Sequence, residues 1–364
     1  VKIAMKSLRE AYQIVDAVSS HAGLLCSQFV RTEVSPKCLT MNLTGLALAE
    51  ASVVGGDISV EKEKVIPKKI LYLDRRLFGG FLSAHPRAES MSFRIADEQV
   101  ILRCGSHQLS ISNAEISGYQ TWKPSEAKPL TLRKAELQQL TLLRDYVSDT
   151  SAADHLNAIR LVSKYGAIAT DSFAMAAVLD SETRLKGFFP SLLPRLISGE
   201  PKAVIEPGGV GILFPIGYLY QPISENCLKS FPEKQLRVII SQVSEAGYLV
   251  AFPLKTLREV LSQLTAFIFG GTELQTALIQ CQAGAAGTCL SLKLPQGVTQ
   301  RTLKIPVAKE FQMQWSVKHL MPWIQGLPDG VETVECLKLD FGTAFRAAWE
   351  GRIYLLMVAE IAGA

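Results

Sequence analysis

The stretch Leu254-Lys255-Thr256-Leu257-Arg258-Glu259-Val260-Leu261-Ser262-Gln263-Leu264-Thr265-Ala266-Phe267-Ile268 sets Leu254, Leu257, Leu261, Leu264 and Ile268 at steps of 3, 4, 3 and 4. Side chains at that spacing share one face of a 3.6-residue period, so the stretch reads as an amphipathic helix with one buried stripe. The chain begins in the same way, with Leu8, Ala11, Val15 and Val18 at steps of 3, 4 and 3. A third such helix starts near Leu132 and carries Leu140, Leu143 and Val147. These starts lie 124 (132 − 8) and 122 (254 − 132) residues apart.

Each interval also predicts a second helix. The first carries Ile70, Leu73 and Leu77, the next is short and lies around Phe189, Leu193 and Leu196, and the last carries Val317, Leu320, Ile324 and Leu327. First helix to second helix is 62 (70 − 8), 61 (193 − 132) and 63 (317 − 254) residues. Short β-like runs bounded by turn residues fill the remainder, at Cys38–Leu43, Met91–Ile95, Val100–Arg103, Gln108–Ser112, Ala158–Val162 and Ala167–Thr170. A period near 120 residues in a chain of 364 implies three similar units. They are placed at 1–124, 125–246 and 247–364, with linkers at Trp122–Lys128 and Val243–Tyr248. The expected class is α+β, with two helices packed on antiparallel sheets in each unit.

Composition narrows the function. Lys and Arg number 38 against 34 Asp and Glu, and the resulting charge of +4 suits a polyanionic partner without requiring one. Seven cysteines, at 26, 38, 104, 227, 281, 289 and 336, form no CxxC pair, so free thiols are expected rather than a disulfide framework or a structural metal. Lys2, Lys6, Arg9, Glu10 and Asp16 make the first twenty residues unlike a signal peptide. No apolar run reaches membrane-spanning length, and the expected location is the cytoplasm. Gly208-Gly209-Val210-Gly211 lacks the Lys-Ser/Thr of a phosphate loop and reads as a hairpin turn. Histidines at 21, 85, 107, 155 and 319 are scattered, and Asp171 reads as a turn residue. No base, nucleophile and stabiliser assemble, so no catalytic residue, metal or cofactor is expected.

Four segments resemble a known family. They are Leu156-Asn157-Ala158-Ile159-Arg160-Leu161 followed by Ala169-Thr170-Asp171-Ser172-Phe173-Ala174-Met175-Ala176, then Ser230-Phe231-Pro232-Glu233, then Gly351-Arg352-Ile353-Tyr354-Leu355-Leu356-Met357, and Val65-Ile66-Pro67-Lys68-Lys69-Ile70-Leu71. In order and position they are similar to the bacterial DNA polymerase III beta subunit, the beta sliding clamp, of which this chain resembles a divergent member. The resemblance implies the DNA clamp fold, three clamp domains per chain, and a head-to-tail homodimer that closes as a ring around double-stranded DNA without reading its sequence. It also implies partners in a DNA polymerase and a clamp-loader ATPase. The other reading left open is a clamp-like regulator that captures polymerase peptides without encircling DNA, for which Pro322 inside the last helix speaks.

Pore-lining helices should carry cations opposite their apolar stripes. The candidates are Lys6, Arg9, Lys68, Lys69, Arg75 and Arg76 in the first unit, Arg133, Lys134 and Arg195 in the second, and Lys255, Arg258 and Lys318 in the third; each is equally readable as a solvated helix face. Lys68–Arg76 is the best basic face, read at helical spacing. The resemblance further implies a partner-peptide pocket of Leu156, Thr170, Ser172, Phe173, Ala174, Met175, Pro232, Val238, Leu355 and Met357. It implies a dimer interface of Leu109 and Ile111 against Ile268 and Phe269. The chain departs from the family at Ser172-Phe173-Ala174, where Gly-His-Arg is usual, at Val358, where Pro is usual, and in the loop Ala22–Phe29, which lacks the usual arginine.

Overall fold

A computed structural model describes residues 2–17, 27–35, 38–44, 48–54, 58–59, 69–96, 99–113, 115–124, 127–148, 151–191, 193, 200–266, 268, 277–284, 287–294, 297–305, 307, 310–340 and 342–359. The chain divides into two compact units, Val1–Leu132 with Leu196–Pro222, and Arg133–Arg195 with Ile223–Ala364.

The first unit holds two antiparallel sheets. One runs Ile58–Ser59, Lys2–Ala4, Ser90–Ala96, Gln99–Cys104, His107–Ser112. The other runs Leu130–Thr131, Lys202–Glu206, Gly209–Phe214, Gly217–Pro222, Leu48–Val54, Cys38–Thr44, Phe29–Val34, Lys69–Asp74. The second unit has an eight-stranded sheet, Gly187–Pro190, Ala158–Val162, Gly166–Thr170, Ala174–Leu179, Arg352–Ala359, Gly342–Trp349, Thr333–Leu339, Val250–Pro253. Its other sheet runs Gly297–Leu303, Gly287–Leu294, Leu278–Gly284, Phe311–Ser316.

The repeat is visible in local structure. Three times a short strand pairs antiparallel with a strand about 70 to 90 residues later, in Lys2–Ala4 with Ser90–Ala96, Leu130–Thr131 with Lys202–Glu206, and Val250–Pro253 with Thr333–Leu339. Each time a main-chain N–H just past the short strand is bonded from the same side: Met5 to the Glu89 carbonyl (2.8 Å), Leu132 to that of Pro201 (2.9 Å) and Leu254 to that of Glu332 (2.9 Å). The helix Met5–Asp16 buries Met5, Leu8, Ala11, Tyr12 and Val15. The helix Leu254–Thr265 buries Leu254, Leu257, Val260, Leu261 and Leu264, the same five positions displaced by 249 residues (254 − 5).

The same displacement relates Arg9 to Arg258 (258 − 9), and both do the same work. Arg9 donates to the carbonyls of His85 and Pro86, just beyond the helix Arg75–Ala84. Arg258 donates to the carbonyls of Ile324 (3.0 Å) and Leu327 (2.5 Å), at the end of the helix Val317–Gly326. Helix C-termini expose unpaired carbonyls and partial negative charge, so an arginine from the neighbouring helix satisfies both. Pro322 sits inside Val317–Gly326, which remains one helix.

Several elements differ from their sequence reading. Ile70 and Leu73 belong to the strand Lys69–Asp74, and the second helix begins only at Arg75. Leu71 and Leu73 alternate inward on that strand, while Asp74 caps the helix by accepting from the Leu77 amide (2.9 Å). The basic helical face drawn through Lys68–Arg76 is therefore corrected: Lys69 and Tyr72 ride on a strand. Phe189 likewise lies in the strand Gly187–Pro190, not in a helix. Two helices went unread, Glu225–Ser230, capped by Ser224, and Glu233–Glu245, which buries Leu236, Ile240 and Val243. The second linker consequently begins after Glu245.

Trp122, assigned to a linker, is anchored. It is 8% exposed, stacks on Tyr220 (4.9 Å, 13°) and covers Gly211, where a Cβ would lie 2.0 Å from the indole. It thus packs over the seam where Leu48–Val54 meets Gly217–Pro222. Gly211→Ala is expected to cost about 1–3 kcal/mol by overpacking this contact, read as a lower urea midpoint at unchanged slope.

Candidate functional site

The hairpin from Gly166–Thr170 to Ala174–Leu179 turns through Asp171, Ser172 and Phe173. Asp171 Oδ1 accepts from the amides of Phe173 (2.9 Å) and Ala174 (2.8 Å), and the Thr170 hydroxyl donates to the Ala174 carbonyl (2.8 Å). A carboxylate folded onto its own backbone in this way fixes a tight turn. It holds Ser172 at φ +79°, a left-handed conformation that costs a residue with a Cβ about 1–2 kcal/mol. Phe173 projects from the turn with 68% of its surface exposed.

Beyond the turn, Met175 stands opposite Met357 in the ladder with Arg352–Ala359. Met175, Leu355 and Met357 share one apolar cluster with Phe231, Leu236 and Ile240 beneath the helix Glu233–Glu245, which starts at Pro232. The structure therefore brings Thr170, Met175, Pro232, Leu355 and Met357 to one side of this sheet. Met175 and Leu355 are sealed (1% and 0% exposed), whereas Phe173 is exposed and Pro232 and Met357 are half-buried. Leu156 is buried at the end of a 3-10 turn, its carbonyl taken by the Ser148 amide (3.0 Å). Val238 points to solvent (60% exposed), because its helix turns Leu236, Ile240 and Val243 inward.

A buried polar chain ties the turn to the helix Val317–Gly326. Asp171 Oδ2 lies 3.2 Å from His319 Nε2, His319 Nδ1 lies 3.1 Å from Ser316 Oγ, and the Tyr146 hydroxyl donates to the His319 carbonyl (2.5 Å). Scattered in sequence, these groups were not read as a site. Ser, His and Asp in line suggest a hydrolytic triad, but Ser316 and His319 are each only 7% exposed, which leaves an acyl substrate no approach to the hydroxyl. The chain is a structural strut. Burial alone would raise the Asp171 carboxyl, but His319 and the two turn amides outweigh it and hold it below the usual carboxylate range. Asp180, against Gln139 and Arg352, and Glu136, against Arg184 and Arg133, are lowered in the same way, each against the pull of burial.

Of the basic candidates, Lys6, Lys69, Arg76, Lys134 and Lys255 are exposed and Lys318 is half-buried. Arg9 and Arg258 serve helix ends, Arg75 pairs with Asp16 (3.1 Å), and Arg133 pairs with Glu136 (3.0 Å). Lys68, Arg195 and Phe269 lie outside the described residues, as does most of the loop Ala22–Phe29. Ile268 is half-buried, its amide bonded to the Thr265 carbonyl (3.0 Å).

The sheet edges carry the remaining information. Three meanders end in a strand after a two-residue turn, at Cys104/His107, Phe214/Gly217 and Trp349/Arg352. The second meander's last strand, Gly217–Pro222, pairs with Leu48–Val54, and the third's, Arg352–Ala359, pairs with Ala174–Leu179. Among the described residues, the first meander's last strand, His107–Ser112, is a terminal strand of its sheet. So is Gly297–Leu303, the last strand of the meander Leu278–Gly284, Gly287–Leu294, Gly297–Leu303 as Leu48–Val54 is of Phe29–Val34, Cys38–Thr44, Leu48–Val54, and on it Val298 is 63% exposed. Leu109 is half-buried and Ile111 is 3% exposed on the first of these edges.

This architecture is that of DNA sliding clamps. More narrowly, it is the fold of the DNA polymerase III beta subunit. The chain matches the sliding clamp from Bacillus subtilis with a TM-score of 0.77 at 14% identity, over 99% of this chain and 98% of that one. It matches the beta subunit from Thermotoga maritima with a TM-score of 0.76 at 14% identity, over 100% and 99%. The clamp from Pseudomonas aeruginosa gives 0.74 at 16% identity, over 99% of both chains. No protein-family model and no curated protein matches the sequence. Among the described residues no helix is long and apolar enough to cross a membrane.

The strut makes stability pH-dependent. A carboxyl whose folded pKa lies below its unfolded value contributes stability above the unfolded pKa and loses it as pH falls through the folded one. Asp171→Asn removes that contribution while keeping an acceptor for the turn. Its stability is expected to fall less than wild type's between pH 7 and pH 3 in urea denaturation; parallel losses would show that Asp171 carries no such linkage.

Proposed function

We propose that the chain is one subunit of a DNA sliding clamp, a processivity factor that closes head to tail with a second copy around duplex DNA. The observation that carries this reading is that, of the sheets' terminal strands, His107–Ser112 and Gly297–Leu303 stand where the other two seams are closed. Two seams of one kind are closed within the chain, and the third would join His107–Ser112 of one copy to Gly297–Leu303 of another. A heterologous contact that closes after two copies is a ring, and it leaves neither edge free to aggregate. The closed seams suggest the register. His107 matches Gly217 at its turn, and Phe29 and Leu278 each pair with the residue capping a second helix, Asp74 or Ser316. Transferring Tyr220 opposite Leu48 and Leu219 opposite Ala49 sets Ser110 against Val298 and Leu109 against Thr299.

In this reading the domains are 1–124, 125–246 and 247–364, and six of them line the ring. Topology holds the DNA, so phosphate contacts need only be weak and sequence-blind, a role open to Lys6, Arg76, Lys134 and Lys255. The surface around Phe173, Pro232 and Met357 would take an apolar peptide from a polymerase or clamp loader, and tethering makes modest affinity sufficient. The chain itself would catalyse nothing and need no cofactor, working in the cytoplasm with the loader's ATPase. A second reading, a peptide-binding regulator that does not encircle DNA, is favoured by one observation: Arg9, Arg75, Arg133 and Arg258 are all engaged within the chain.

The two readings separate on DNA topology. The clamp, loaded onto nicked circular DNA, is expected to stay bound through a high-salt wash and to be lost when the circle is linearised. Release that is the same from both forms would exclude encirclement and favour the regulator.

A further inference from the structure

We propose that His85 and His107 form a two-imidazole binding site for a borderline transition-metal ion of the Zn²⁺ class, at the corner where the helix Arg75–Ala84 ends and the strand His107–Ser112 begins. His85 Nε2 and His107 Nδ1 lie 3.0 Å apart, with the rings nearly perpendicular at 83°. His85 Nδ1 lies 2.8 Å from the Phe81 carbonyl oxygen. A carbonyl only accepts, so Nδ1 carries the proton, and in the neutral ring Nε2 presents its lone pair towards His107. A main-chain carbonyl fixing one ring nitrogen so that the other is free to ligate is the usual second partner of a metal-binding histidine. The ring is further held against Phe81, at 4.6 Å between centroids.

The spacing suits chelation. Two nitrogens at about 2.0–2.1 Å from a tetrahedral ion stand about 3.3 Å apart, which the present 3.0 Å separation reaches by a small ring rotation. The shared proton must then move from His107 Nδ1 to its Nε2, a tautomer shift through solvent that this exposed side chain permits. Among the described residues no group of three His, Cys, Asp or Glu gathers to hold a metal, so water completes the coordination and the ion exchanges readily. Cys104, across the hairpin from His107, is 7% exposed with its thiol near the Ser90 carbonyl, and is not a ligand. Arg9 brings a positive charge onto the His85 and Pro86 carbonyls. That charge repels any cation, so the preference for a borderline ion rests on the imidazole nitrogen donors alone.

Occupancy would pin the first residue of the edge strand to the end of a helix. That consequence rests on the ring reading; the binding itself does not. The test is calorimetric titration of the full chain with Zn²⁺ in a non-chelating buffer at pH 7.5 and pH 5.5. His85→Gln, His107→Gln and the control His155→Gln are titrated alongside. One ion per chain is expected, weakened at least tenfold in His85→Gln and in His107→Gln, kept in His155→Gln, and weakened at pH 5.5 because protons compete for the same lone pairs. Thermal melts confirm that each variant folds, and His107→Asn repeats the test if His107→Gln does not. No saturable binding by the wild type, or full binding in both His85→Gln and His107→Gln, would overturn the site. Zinc held by these two residues in a chain that stays monomeric would uphold the site and count against the ring alone.

Discussion

A strand must hydrogen-bond on both sides or leave a row of open main-chain groups, and this constraint organises the molecule. Gly217–Pro222 meets Leu48–Val54, and Ala174–Leu179 meets Arg352–Ala359, so strands distant in sequence become parts of continuous sheets. Side chains then secure each seam. Trp122 lies across the first, stacked on Tyr220 over the bare backbone of Gly211. The Met175, Leu355 and Met357 cluster under Glu233–Glu245 secures the second.

The helices obey a second constraint, the polarity of their ends. Arg9 and Arg258 occupy equivalent positions and neutralise equivalent helix termini. That use commits both arginines to holding helix pairs together. What remains on these two helices is one exposed cation each, Lys6 and Lys255, beside the exposed Glu10 and Glu259.

The sequence made some of this legible. Stripes such as Leu254, Leu257, Leu261 and Leu264 announce their helices because burial follows the helical period. Ile70, Leu73 and Leu77 misled because Leu71 and Leu73 satisfy a strand's alternation just as well. Asp74, an N-cap, was the signal that separates strand from helix. Leu236, Ile240 and Val243 after Pro232 carried the same kind of signal for Glu233–Glu245. By contrast, Asp171 and His319 stand 148 positions apart, and nothing local links them. Which strands would be edges was equally hidden, since pairing is decided by the fold and not by any strand's own residues. Within the proposed pocket, Met175, Leu355 and Met357 lie in quoted motifs and cluster, while Val238, outside those motifs, is turned to solvent by helix phase.

In the proposed ring, His107–Ser112 of one copy pairs with Gly297–Leu303 of another. Sedimentation equilibrium of the purified chain at micromolar concentration, beside Leu109→Lys with Val298→Lys, tests it most directly. Twice the chain mass is expected for the wild type, with a shift to the single-chain mass when both edges carry the new charge. A wild type at single-chain mass across that range would contradict it.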